Sequence, residues 1–221
     1  MMRQILAPSI LSADFKILGE QMELCEKNGA EYLHFDVMDG MFVQNISFGI
    51  PVLESIKGST GMVLDVHLMV TEPIRYVEAF AKAGADIVTV HYEACKDVQA
   101  TLEQIHRCGV KAGLTIKPDT PVEVLKPYLD QVDMFLIMSV EPGQGGQGFI
   151  PESLTKIQQL RKMLQEKGLD TDIEVDGGIK LDNVAEVAKA GANVMVAGSA
   201  VFRGNIAENV SGFMRVLKDY E

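Results

Sequence analysis

Polar and apolar residues follow two rhythms along this chain, and the rhythms take turns. Short apolar runs rich in β-branched residues occupy residues 5–11, 32–38, 63–69, 86–92, 111–117, 134–140, 172–177 and 194–198. They have the length and composition of buried strands. Between them lie stretches with helical spacing of apolar positions, near residues 14–27, 51–57, 73–84, 98–107, 122–129, 151–166, 181–189 and 207–217. Asp14 stands at an N-cap position, and Pro51 and Pro73 stand in first turns. Asn28-Gly29-Ala30, Ala83-Gly84-Ala85, Cys108-Gly109-Val110 and Ala190-Gly191-Ala192 each precede a strand, as helix C-caps should.

Strict alternation of strand and helix implies a parallel sheet, and eight such units closing on themselves give a (β/α)8 TIM barrel. The 221 residues suffice for one such barrel, so a single catalytic domain over residues 1–221 is expected. A doubly wound open sheet is the structural alternative, but the GxGxxG signature expected after its first strand is absent. In a barrel the active site lies where the strands end and the βα loops begin.

The stretch 32–40 departs from an ordinary buried strand. Side chains alternate between faces, so His34, Asp36 and Met38 share one side, and Leu33, Phe35 and Val37 the other. The third strand repeats the design with His67 and Met69, and the seventh ends in Asp176 before Gly177 and Gly178. In the barrel His34, Asp36, His67 and Asp176 converge at the catalytic end. Two imidazoles and two carboxylates suit one divalent metal ion, Zn, Fe, Mn or Co. His91 ends the fourth strand nearby and is expected to back the site or line the substrate; His106 lies on a helix and is expected to be solvated.

Methionine in a strand is ordinarily core filler. Met38, Met69 and Met138 at matching depth suggest instead an apolar collar one step nearer the mouth, excluding water from a charged intermediate. Glycine-rich loops follow strands six, seven and eight: Gly143, Gly145, Gly146 and Gln147, then Gly177-Gly178, then Gly198-Ser199. Their backbone N–H groups make the phosphate site expected on this fold.

Composition narrows the ligand. A formal charge of −11 argues against binding a polyanion such as DNA or RNA, but not against a small phosphate ester. Cys25, Cys95 and Cys108 fit neither a CxxC site nor a disulfide framework and read as reduced thiols. The first apolar run is interrupted by Pro8 and Ser9, too short for a signal segment or a membrane span, and a cytoplasmic location is expected.

Four motifs, residues 7–15 (Ala-Pro-Ser-Ile-Leu-Ser-Ala-Asp-Phe), His34-Phe35-Asp36-Val37-Met38-Asp39-Gly40, Asp65-Val66-His67-Leu68-Met69 and Glu174-Val175-Asp176-Gly177-Gly178, resemble those of the ribulose-phosphate 3-epimerases. The likeness runs nearly end to end. It implies a metal-dependent enzyme of the pentose phosphate pathway that interconverts D-ribulose 5-phosphate and D-xylulose 5-phosphate. His34, Asp36, His67 and Asp176 would be its metal ligands, with Asp36 and Asp176 the acid–base pair, Ser9 and His67 substrate contacts, and the glycine loops the phosphate site. Inverting C3 beside a carbonyl requires removing a proton from one face and returning one to the other, which two flanking carboxylates can do. The resemblance also implies a homo-oligomer, a dimer or a hexamer. Met41, Gln44 and Gln144 depart from the His, Pro and Phe common in the family. They bear on the choice between this substrate and a six-carbon ester such as D-allulose 6-phosphate. A non-catalytic sugar-phosphate-binding barrel would be expected to have lost one of the paired aspartates, and neither is lost.

Overall fold

The computed structural model describes residues 2–221. Eight strands are present: β1 (Ile5–Pro8), β2 (Tyr32–Met38), β3 (Val63–Met69), β4 (Ile87–His91), β5 (Lys111–Ile116), β6 (Met134–Met138), β7 (Asp172–Asp176) and β8 (Val194–Ala197). Every neighbouring pair is parallel, in the order β1-β8-β7-β6-β5-β4-β3-β2. A parallel bridge between Ser9 and His34 joins the two ends of that order, so the sheet closes into the expected (β/α)8 barrel.

The helices are α1 (Leu18–Lys27), α2 (Ile50–Ile56), α3 (Val77–Ala83), α4 (Val98–Arg107), α5 (Ser153–Glu166), α6 (Val184–Ala190), α7 (Ser199–Phe202) and α8 (Ile206–Leu217). Their starts and stops follow local chemistry. Asp97 caps α4 by accepting from the Ala100 N–H at 3.0 Å, and α3 and α6 stop at Gly84 and Gly191, whose φ of 121° and 114° a side chain would resist.

Alternation along the strands sorts the core. Leu6, Leu33, Phe35, Val66, Leu114, Phe135 and Val175 point outward into the layer shared with the helices, and all are fully buried. Truncating one of these large side chains to Ala costs about 2–5 kcal/mol, because a closed layer relaxes little around the hole. The inward residues Ile5, Tyr32, Ile87, Met134 and Val194 form a separate apolar plug at the N-terminal end of the barrel. The polar inward residues stand above that plug.

Three expectations change in detail. The first strand stops at Pro8, and two short 3-10 turns, Ile10–Ser12 and Phe15–Ile17, precede α1, so Asp14 caps a 3-10 turn rather than an α-helix. The segment expected as a helix over 122–129 is a 3-10 helix, Val122–Tyr128. Pro127 inside it has no N–H to give an α-helical ladder. α7, directly after β8, was not expected. Among the described residues no helix is long and apolar enough to cross a membrane.

Candidate active site

The register of β2 on β3 builds the floor of the site. His34 lies opposite Asp65, Asp36 opposite His67, and Met38 opposite Met69. Because these side chains all point inward, the ladder sets two imidazoles and two carboxylates side by side. β7 adds Asp176 at its last position, opposite Met138. Asp36 Oδ1 lies 3.3 Å from His34 Nε2 and 3.2 Å from His67 Nδ1, and Asp176 Oδ2 lies 4.0 Å from His67 Nδ1. One donor atom from each of the four falls within 4.8 Å of the others.

The remaining polar atoms of Asp36 and His34 are held by other partners. The Ser9 hydroxyl donates to Asp36 Oδ2 at 2.5 Å, leaving Oδ1 toward the histidines. His34 Nδ1 lies 2.6 Å from Asp65 Oδ2 and 3.3 Å from Glu174 Oε1. An imidazole that donates from Nδ1 to Asp65 presents a lone pair at Nε2, and that buried atom has no hydrogen-bond partner. A buried, unpartnered nitrogen aimed among a second imidazole and two carboxylates fits a divalent cation of the Zn, Fe, Mn or Co class.

Electrostatics separates the two aspartates. Burial alone would raise Asp36, but the imidazoles of His34 and His67 facing it outweigh burial and hold the carboxyl well below the usual range. Burial and then the nearby charge of Asp36 push Asp176 up to about 6. One carboxylate stays ionised while the other takes a proton near neutrality, the division of labour that an acid–base pair needs. Burial works against a charged His34, yet Asp36, Asp65 and Glu174 together raise it well above the ordinary histidine value, so a cation taken up at Nε2 would displace a proton there. Glu174, raised by burial and by Asp65, keeps both oxygens without hydrogen-bond partners.

A cavity opens over this floor. Its wall includes Ser9, Asp36, Met38, Met69, Met138, Gly143, Gly145, Gly146, Gln147, Asp176, Gly177, Gly178, Gly198 and Ser199, all of them expected from the sequence. His34 and His67 are fully buried and lie beneath the floor rather than on the wall. Met138, facing Asp176 across the ladder, stands beside the carboxylate and not one step above it, whereas Met38 and Met69 do stand nearer the mouth. The Gln147 amide donates to the carbonyls of Glu141 at 2.6 Å and Gln144 at 2.8 Å, so its NH2 group braces the loop after β6. Gly177, with φ 126°, packs so tightly that a Cβ there would sit 2.5 Å from Val140 Cγ2.

Of the three departures, Gln144 lines the cavity, and Met41 is 81% exposed. His91 lies fully buried against His67 and off the cavity wall, and His106 is exposed beside Asp133. The sequence reading missed Asp65 and Glu174 as partners of His34. Each stands two residues before a selected residue, on the same face, so the alternation that found His67 and Asp176 also pointed to them. It missed Ser12 too, whose hydroxyl crowds Gly198 at the cavity rim; no periodicity marks a residue in a 3-10 turn.

The profile of the ribulose-phosphate 3-epimerase family matches residues 5–202. The chain belongs to that family. It is 53% identical over 211 residues to the ribulose-phosphate 3-epimerase of Synechocystis sp., covering 94% of this chain and 92% of that one. It is 51% identical over 197 residues to the Bacillus subtilis protein of the same name, covering 89% and 91%. Among solved structures, 3-keto-L-gulonate-6-phosphate decarboxylase from Vibrio cholerae superposes with a TM-score of 0.73 over the full length of both chains at 13% identity, a likeness of fold alone.

Proposed function

We propose that this chain interconverts D-ribulose 5-phosphate and D-xylulose 5-phosphate by moving the C3 proton, the whole chain serving as one catalytic domain. The observation that carries this reading is the meeting of Asp36 and Asp176 at the floor of a cavity walled by glycine loops. Family membership supports it.

Asp36, ionised, is suited to take the C3 proton from one face, and Asp176, able to carry a proton near neutrality, to return one to the other. For the reverse reaction the roles exchange. Ser9 holds Asp36 Oδ2 and so fixes the direction in which the carboxylate can accept. Met38 and Met69 above the aspartates and Met138 beside Asp176 wall the cavity with apolar surface, limiting water where charge develops on the substrate. The N–H groups of residues 143–147, 177–178 and 198–199 are suited to receive the phosphate at the far end.

His34 Nε2, Asp36 Oδ1, His67 Nδ1 and Asp176 Oδ2 would hold one divalent cation, Zn, Fe, Mn or Co. Such a cation supplies positive charge to substrate oxygens that become negative when the proton leaves. We further propose a cytoplasmic, homo-oligomeric enzyme, a dimer or a hexamer; Cys25, Cys95 and Cys108, all unpaired, suit a reducing compartment.

Gln144 on the cavity wall favours a second activity, because an amide in place of an aromatic wall accommodates one more hydroxyl. Ribulose 5-phosphate is expected to be the better substrate by kcat/KM, with measurable activity on allulose 6-phosphate. Side-by-side assays decide this: a clear preference for the six-carbon ester overturns the named substrate, and no turnover of either overturns the epimerase reading.

A further inference from the structure

Two imidazoles meet behind the floor of the site. His67 turns Nδ1 toward Asp36 and Asp176, so its Nε2 points away from them and lies 2.9 Å from Nε2 of His91. The two ring centroids lie 5.0 Å apart with 29° between their planes, and the Phe42 ring lies 4.8 Å from that of His91. Beyond His91 the series continues: its Nδ1 faces Glu93 Oε2 at 3.4 Å. The other Glu93 oxygen, Oε1, accepts from the Lys117 backbone N–H at 2.8 Å and from the Thr120 hydroxyl. Glu93 is thereby anchored to the segment after β5, with Oε2 left for His91.

We propose that His91 and Glu93 are positioning residues that fix the tautomer of His67, so that its Nδ1 always offers a lone pair to the divalent cation. The inference rests on the metal reading given above. A neutral His67 that ligates through Nδ1 must carry its proton on Nε2. Two nitrogens 2.9 Å apart form a hydrogen bond only if one donates and the other accepts, so His91 Nε2 must be bare. His91 then carries its single proton on Nδ1, the nitrogen that faces a carboxylate. Reversing either proton would set two N–H groups, or two lone pairs, against each other inside the barrel.

The surroundings agree. Glu93 is held at about 2, the neighbouring His91, the Thr120 hydroxyl and the Lys117 N–H together outweighing the opposing effect of burial. His91 is fully buried and off the cavity wall, so it serves the site through His67 rather than by touching substrate.

Protein labelled with 15N-histidine and loaded with Zn2+ tests this, because long-range 1H–15N correlations distinguish a protonated from a bare ring nitrogen. The expected pattern is His67 protonated on Nε2 and His91 on Nδ1. If Zn2+ leaves the His34 and His67 nitrogens unshifted, the metal reading fails and this inference with it. If they shift but His91 carries its proton on Nε2, or on both nitrogens, this inference alone is overturned. Glu93→Gln gives a second readout. The amide oxygen is required by the Lys117 N–H, which turns the NH2 group toward His91 Nδ1 and opposes its proton. Zn2+ affinity, measured by chelator competition, is expected to weaken about 10–100-fold, the usual effect of losing an outer partner, with little change in Tm. Unchanged affinity in that variant overturns the role of Glu93.

Discussion

Asp36 and Asp176 have the same side chain and opposite surroundings. Asp36 accepts from Ser9 and faces two imidazoles, whereas Asp176 stands at the end of its strand, partly exposed, beside the charge of Asp36. If each serves one face of C3, Asp36→Asn and Asp176→Asn should each lower complete epimerisation about 100-fold or more. Each variant should also still exchange the C3 proton of one epimer with heavy water, through the carboxylate that remains. Turnover within a factor of ten of the parent in either variant would sink the pairing. At this scale the sequence was readable wherever chemistry stood at alternate positions, which is why His34, Asp36, His67 and Asp176 could be selected together. Which atom of each faces which neighbour was not readable. The bond from His34 Nδ1 to Asp65 Oδ2 joins residues 31 positions apart and exists only because β2 and β3 pair in that register.

At the scale of elements, the barrel supplies stiff strands and the loops supply close approach. Gly177 follows β7 with φ 126°, and its missing Cβ makes room for Val140, so the turn can run tightly past the end of β6. Gly177→Ala is expected to cost about 1–3 kcal/mol in urea unfolding, from backbone strain and from the clash, and to raise KM for the phosphorylated substrate. Gly148→Ala is the matched control, since nothing lies within 4 Å of the added carbon and its φ is not positive. Equal stability in the two variants would mean that the turn after β7 yields easily. Strands were located within a few residues from pattern alone, because a buried parallel strand is a continuous apolar run. The pattern misled at 9–11, expected as strand, and at 14–17 and 122–129, expected as α-helix, where Pro8, Pro127 and short local turns prevailed.

For the whole molecule, cohesion and chemistry occupy different layers. The apolar shell between strands and helices and the plug at the N-terminal end contain none of the four proposed ligands. Chelation is therefore expected to abolish turnover while leaving the far-UV circular dichroism spectrum and a cooperative thermal transition in place. Tm should fall by a few degrees, as it does when a ligand of the native state is withdrawn. Full activity in demonstrably metal-free protein would overturn the cation's role, and loss of helical signal would overturn the separation of layers.

The sequence by itself determined the alternation of eight strands and eight helical stretches, hence the parallel sheet and the end of the barrel at which chemistry collects. It also pointed to the strand ends and glycine-rich loops that supply much of the cavity wall, since strand periodicity and glycine-rich loops are local properties of the chain. Only the tertiary structure decided the pairing of His34 with Asp65 and Glu174, the contact of His67 with His91, and the opposite proton affinities of Asp36 and Asp176. Those depend on distances across strand pairs and on burial, which arise when the barrel closes and have no signature in any short stretch of residues.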